Sequence, residues 1–96
     1  MSIFAVEYVY NPDQNELRAQ HRPEHREWLE ELVEQGRVLA SGPFADGSGA
    51  LLVFTSDTEA DLNQLVSQDP FAREGAISAV KTVEWNAVVG AFRDLV

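Results

Sequence analysis

The sequence predicts an α+β fold of ferredoxin-like topology, a β-α-β-β-α-β sandwich with two helices on one face of a four-stranded antiparallel sheet. Three observations predict it. Four short segments are β-branched and aromatic. Two intervening segments carry apolar residues at helical spacing. The chain has 96 residues, enough for one modest core, so residues 1–96 are read as a single domain.

The first strand is read over residues 3–10 (IFAVEYVY), which hold a single charge. Asn11-Pro12-Asp13 stops it with turn chemistry, and a polar stretch follows over residues 14–22. Pro23 suits the first turn of a helix, and Glu24 suits the positive end of its dipole. His25, Trp28, Leu29, Leu32 and Val33 then recur at i, i+3, i+4, i+7 and i+8, one apolar stripe on a charged helix. Gly36 is a natural cap, so this helix is placed at about residues 23–35, with room for an earlier turn.

Residues 37–41 (RVLAS) read as a short strand ending at Gly42-Pro43, and residues 50–55 (ALLVFT) as a buried one, joined as a hairpin through a glycine-containing loop. Ser56 and Glu59 have the spacing of a capping box ahead of Leu62, Leu65 and Val66, which places a second helix up to about residue 68. Asp69-Pro70-Phe71 breaks it, because a residue before proline avoids helical geometry, and residues 72–75 read as a turn. Residues 77–85 form the last long strand, and residues 86–96 a tail of undefined structure. Large apolar residues on several strands leave the second sheet face in need of cover. A homodimer with two sheets packed face to face is the expected answer.

Composition narrows the function. Sixteen acidic against seven basic residues give a net charge of −9, which repels phosphate backbones and anionic lipid surfaces. Nucleic-acid and membrane partners are therefore not expected. The absence of cysteine removes disulfide scaffolds, thiol nucleophiles and thiolate metal sites. No apolar run approaches a bilayer span and residues 1–3 begin no signal peptide, so a cytoplasmic protein is expected.

Few residues are suited to chemistry. His25 lies on the apolar stripe near the helix start, where most histidines are satisfied core or interface residues. A catalytic histidine needs a partner that fixes its tautomer. Asp69 is the candidate, since it closes the second helix and the two helices run side by side in this fold. Read alone, Asp69 is an ordinary turn starter before proline. Arg18 and Arg22 are suited to hold a substrate carboxylate or phenolate, the competing reading being surface ion pairs with Glu16, Glu24 or Glu27. Ser41, at the end of the second strand, is placed to hydrogen-bond a ligand at a cleft mouth, or is part of a tight turn. His21 and His25 have a metal-ligand spacing of four. With Pro23 starting the regular helix after His21, and no glutamate in the motif position, no metal site is assigned. No nucleotide motif and no nucleophilic serine motif is present.

The ordered set of Arg18, Arg22-Pro23-Glu24-His25, Trp28-Leu29, Gly36-Arg37-Val38-Leu39, Ser41-Gly42-Pro43, Asp46-Gly47, Thr58-Glu59-Ala60, Asp69-Pro70-Phe71 and Val83-Glu84-Trp85 resembles the YciI-like family. The resemblance runs from Ile3 to Trp85 and implies a dimeric ferredoxin-like α+β barrel. It also implies an active-site His–Asp pair, which maps to His25 and Asp69. Related proteins include a dehydrochlorinase of chlorinated hydroxyhydroquinones, and the wider fold group includes muconolactone isomerase-like enzymes. The expectation is a lyase or isomerase that moves protons on a small oxygenated ring compound without a cofactor. The rival is a non-catalytic small-molecule-binding or assembly domain in which His25 and Asp69 form a structural ion pair. A third reading is a metal site built from His21, His25 and a carboxylate.

Overall fold

The computed structural model describes residues 1–95, so the last residue of the expected tail, Val96, lies outside the described residues. The elements are β1 (Ser2–Val9), α1 (Asn15–Glu34), β2 (Val38–Pro43), β3 (Gly49–Ser56), α2 (Glu59–Val66), α3 (Pro70–Arg73) and β4 (Ala79–Glu84). The sheet order is β2-β3-β1-β4, with every neighbouring pair antiparallel. This is the expected ferredoxin-like arrangement.

The barrel implied by the resemblance is absent. The sheet has four strands, and β2 and β4 end it as two edges that do not pair with each other. So few strands cannot bend far enough to close on themselves. The sheet is open.

Alternation along β1 decides which face is the core. Phe4, Val6 and Tyr8 point at the helices, where they pack with Leu52 and Phe54 of β3, Leu32 of α1 and Leu62 of α2. Each fully buried side chain of this size contributes roughly 1.5–3 kcal/mol. Ile3 and Val53 point the other way and meet Ala87, with Leu39 and Phe92 packed at the side. The tail thus folds back over one end of the second sheet face, and the ring of Phe92 stands edge-on to Trp85 at 6.4 Å. Val9, Leu51 and Val83 on that face stay exposed. Gly49 begins β3 because a Cβ there would collide with the backbone carbonyl of Tyr8.

Several boundaries depart from expectation for physical reasons. Helix α1 starts at Asn15, two turns before Pro23. A 3₁₀ turn over Pro12–Gln14 leads into it, and the Asn11 side chain accepts from the Asp13 N–H at 2.9 Å. Pro23 lies inside the helix, exposed, where it withholds an N–H from the carbonyl one turn earlier and sets its ring against that carbonyl. The helix ends as expected at Gly36, with φ of +73° and the Arg37 N–H returning to the Leu32 carbonyl at 2.8 Å. The cap of α2 is Thr58, whose Oγ1 accepts from the Asp61 N–H at 3.1 Å. Ser56 is unavailable for that role because it pairs with Ser2 as the last residue of β3. Residues 70–73 form the short helix α3 where a break at Asp69-Pro70-Phe71 and a turn over residues 72–75 were expected, and β4 is shorter than expected at both ends.

Candidate active site

The site is assembled where α1, β1 and α3 meet. Its centre is the carboxyl of Asp69, which is 0% exposed. Pro70 holds Asp69 in extended geometry, with φ −59° and ψ 128°, so its side chain turns back over the start of α3. There Oδ1 accepts from the Phe71 N–H at 3.0 Å. Oδ2 accepts from the Tyr8 hydroxyl at 2.7 Å, delivered by the inward face of β1. His25, on the inward stripe of α1, brings Nδ1 to 2.7 Å from Oδ1. Three donors converge on one carboxyl, which is what a buried acid group requires.

The geometry fixes the imidazole. A carboxylate only accepts, so Nδ1 carries the hydrogen and donates. In the neutral ring, the lone pair is then on Nε2. Nε2 has no hydrogen-bond partner among the described residues. The Phe71 ring stacks flush on the imidazole, 3.8 Å away and 3° from parallel, and stops it tilting off the carboxyl. Tyr10 stands edge-on to Phe71 at 6.2 Å, and the Arg18 guanidinium lies 4.2 Å above the Tyr10 ring.

Burial, and then the negative charge of Asp69 that it bonds, hold the Tyr8 phenol far above its ordinary range. Tyr8 is therefore a permanent donor to Asp69. Burial also raises Tyr10, an effect the nearby Arg18 cation opposes.

His25 is 8% exposed, and its exposed part lines a cleft of about 590 Å³ between α1 and β2. Arg22, Arg26, Leu29, Glu30 and Val33 of α1 form one wall, and Ser41, Gly42 and Pro43 of β2 form the other. Tyr10 and Phe71 close the inner end. The structure thus brings His25 and Asp69 together and puts Arg22 and Ser41 on the same cleft. Arg18 is elsewhere: it is 3% exposed, and it donates to the Ala76 carbonyl at 3.1 Å and to Asn15 Oδ1 at 2.5 Å. His21 points its Nδ1 towards Glu24, 3.9 Å away. Among the described residues, no three His, Asp or Glu side chains gather as a metal-binding group.

Sequence reasoning passed over three contributors. Tyr8 was visible only as a strand residue. The available signal was that a phenol on the core face of a strand needs an acceptor inside. Phe71 has a sequence signal only as part of the Asp69-Pro70-Phe71 break, and Arg26 has none that separates it from the other charges of the helix.

Solved structures share the fold at low identity. A 5-chloro-2-hydroxyhydroquinone dehydrochlorinase from Burkholderia phenoliruptrix AC1100, in complex with 2,5-dihydroxybenzoquinone, superposes with a TM-score of 0.77 at 21% identity, covering 86% of this chain and 92% of that one. An antibiotic biosynthesis monooxygenase gives 0.57 at 18% identity, covering 93% of this chain and 100% of the other. A hypothetical protein from Pyrococcus horikoshii gives 0.52 at 16% identity, covering 88% and 89%. At these identities the likeness is one of fold. No curated protein matches the sequence. The model of the YCII-related domain matches residues 2–86, almost the whole of the folded sandwich with its buried His–Asp pair, and the chain belongs to that family.

Proposed function

We propose that the chain is a lyase- or isomerase-type enzyme that moves a proton on a small oxygenated ring compound, using its own side chains. The observation that carries this reading is the 2.7 Å contact between His25 Nδ1 and a fully buried Asp69 beside an open cleft. With Nδ1–H held by the carboxylate, Nε2 is the base. It takes a proton from a ring C–H or O–H, and the electron pair of the broken bond stays in the ring system. The imidazolium formed faces the Asp69 carboxylate, which offsets its charge and keeps the ring oriented for return of the proton. Asp69 is a positioning residue, because its buried carboxyl does not reach the cleft. Arg22 and Ser41 contact the substrate's oxygens from the two walls. The printed activity of the dehydrochlorinase of like fold, on a chlorinated hydroxyhydroquinone, agrees with a ring substrate of this kind.

The same reading includes a homodimer through the exposed sheet face. That face carries Val9, Leu51 and Val83, with Glu7 and Lys81 opposite each other in register. One acid and one base among aliphatic residues form a patch that a two-fold copy can complement. Analytical ultracentrifugation of the wild type and of Val83→Glu checks this. A dimer that the substitution dissociates is expected, and a wild-type monomer contradicts it.

The functional test is turnover. Chlorinated and hydroxylated quinols are screened for halide release or for exchange of ring hydrogen with solvent deuterium. His25→Asn keeps a side-chain N–H for Asp69 but removes the base, and the expected loss is about 10²–10⁴-fold. A folded His25→Asn protein with wild-type turnover contradicts the proposal. A protein that binds such rings but turns none over is instead the non-catalytic binding domain.

A further inference from the structure

We propose that this cleft selects a ring compound that is already an anion, such as a phenolate or an ionised hydroxyquinone, and that Arg22 and Arg26 together grip the charge. The inference rests on the cleft being the proton-transfer site and adds the charge class of its substrate.

Arg22 and Arg26 are four residues apart on α1, so their side chains emerge side by side, and both line the cleft that His25 opens into. Both are exposed, and neither guanidinium lies within 4.0 Å of a carboxylate among the described residues. In a chain with sixteen acids and seven bases, these two cations are therefore open to an anion in the cleft. Two of the other four arginines are engaged, while Arg37 and Arg93, like this pair, have no carboxylate within 4.0 Å among the described residues. Arg18 is spent on the Ala76 carbonyl and Asn15, and Arg73 reaches Glu24 at 4.0 Å. Two like charges side by side repel one another, and a bound anion relieves that repulsion. A guanidinium pair offers planar, paired donors suited to phenolate or carboxylate oxygens.

The rest of the lining sets the orientation. Leu29, Val33 and Pro43 provide an apolar wall for a ring body. Glu30, one turn beyond Arg26, places a negative charge on the same wall on the side away from Arg22. The anionic group therefore belongs at the Arg22–Arg26 end, near His25. Chemistry benefits from that placement. When Nε2 removes a proton from such a ring, the electron pair spreads onto ring oxygens, and the guanidinium groups stabilise the added negative charge where it develops.

The test compares two probes with the same quinone ring and oxygen positions, 2,5-dihydroxybenzoquinone, which ionises, and 2,5-dimethoxybenzoquinone, which does not. Binding is measured by calorimetry on the wild type, Arg22→Gln, Arg26→Gln and the double variant, each checked for folding by circular dichroism. The wild type is expected to prefer the anion by roughly tenfold or more, and the double variant to lose about that factor. The preference is expected to shrink with added salt, and binding of the neutral probe to be unchanged. Equal affinity for the two probes, no binding of either, or undiminished anion binding by the double variant overturns the proposal. The two readings fail separately. If His25→Asn keeps turnover while the anion preference persists, the proton-transfer reading falls. If turnover depends on His25 but charge is not discriminated, only the present inference falls.

Discussion

Two clefts of similar size among the described residues differ in what lies beneath them. The one between α1 and β2, about 590 Å³, ends on an imidazole backed by a buried carboxyl. The other, about 490 Å³, lies where Met1, Gln35 and Arg37 face the α2 residues Asp61, Gln64 and Leu65, together with Gln68. Its buried polar residue is Thr55, a neutral side chain already satisfied by the Gly36 carbonyl at 2.9 Å. Volume therefore does not separate the two. The first cleft has an ionisable pair held out of water by three hydrogen bonds, at a cost that packing elsewhere must offset. The second has surface amides and charges that water can solvate freely. The difference teaches that the candidate site is recognised by what the fold buries next to the opening.

Breaking the first cleft at its base produces the largest effect. Asp69→Ala leaves the Tyr8 hydroxyl, the His25 Nδ1–H and the Phe71 N–H without their acceptor. A stability loss of about 2–5 kcal/mol in urea titration is expected, together with loss of turnover. His25→Asn comes next and separates chemistry from folding. Turnover falls by orders of magnitude, while stability drops only about 1–2 kcal/mol from the lost stack on Phe71.

Tyr8→Phe is milder, at about 1 kcal/mol near neutral pH. It also carries a pH signature. Burial and Asp69 hold the Tyr8 phenol above its ordinary value of 10.0, so the folded chain binds that proton more tightly than the unfolded chain. The contribution is complete below about pH 10 and is lost as pH rises beyond it, when the unfolded phenol ionises and the folded one does not. The stability advantage of wild type over Tyr8→Phe should therefore be flat to about pH 10 and shrink above it. Denaturant titrations at several alkaline pH values check this. The smallest effect belongs to the second cleft. Gln64→Ala should change stability by no more than about 0.5 kcal/mol and leave turnover unchanged. A large effect there would erase the contrast between the two clefts.

The element order was legible because β-branched and aromatic runs alternate with segments whose apolar residues have helical spacing. The boundaries that were misread are places where local chemistry offered two answers. Pro23 serves equally as a first-turn residue or as an exposed interior one, and the tertiary contacts of Arg18 and Gln14 decide for the longer helix. Ser56 and Thr58 both precede an acidic residue by three, and the pairing of Ser56 with Ser2 settles the choice. Asp69 was expected to reach His25 by closing the second helix, whereas in the structure α2 ends at Val66 and Asp69 caps α3, which packs on α1. The place of Tyr8 was not legible, because a strand residue's partner across 61 positions depends on the packing of α3. Arg18 looked like an exposed anchor, but its position on the inward stripe buries it.

The most direct test of the account is the protonation pattern of His25, read from long-range ¹⁵N–¹H NMR of the ring, with Asp69→Asn as the reference. The account predicts that the neutral imidazole carries its hydrogen on Nδ1, and that ring ligands perturb Nε2. A neutral ring with its hydrogen on Nε2, or one whose signals are the same with and without the Asp69 carboxylate, would contradict it.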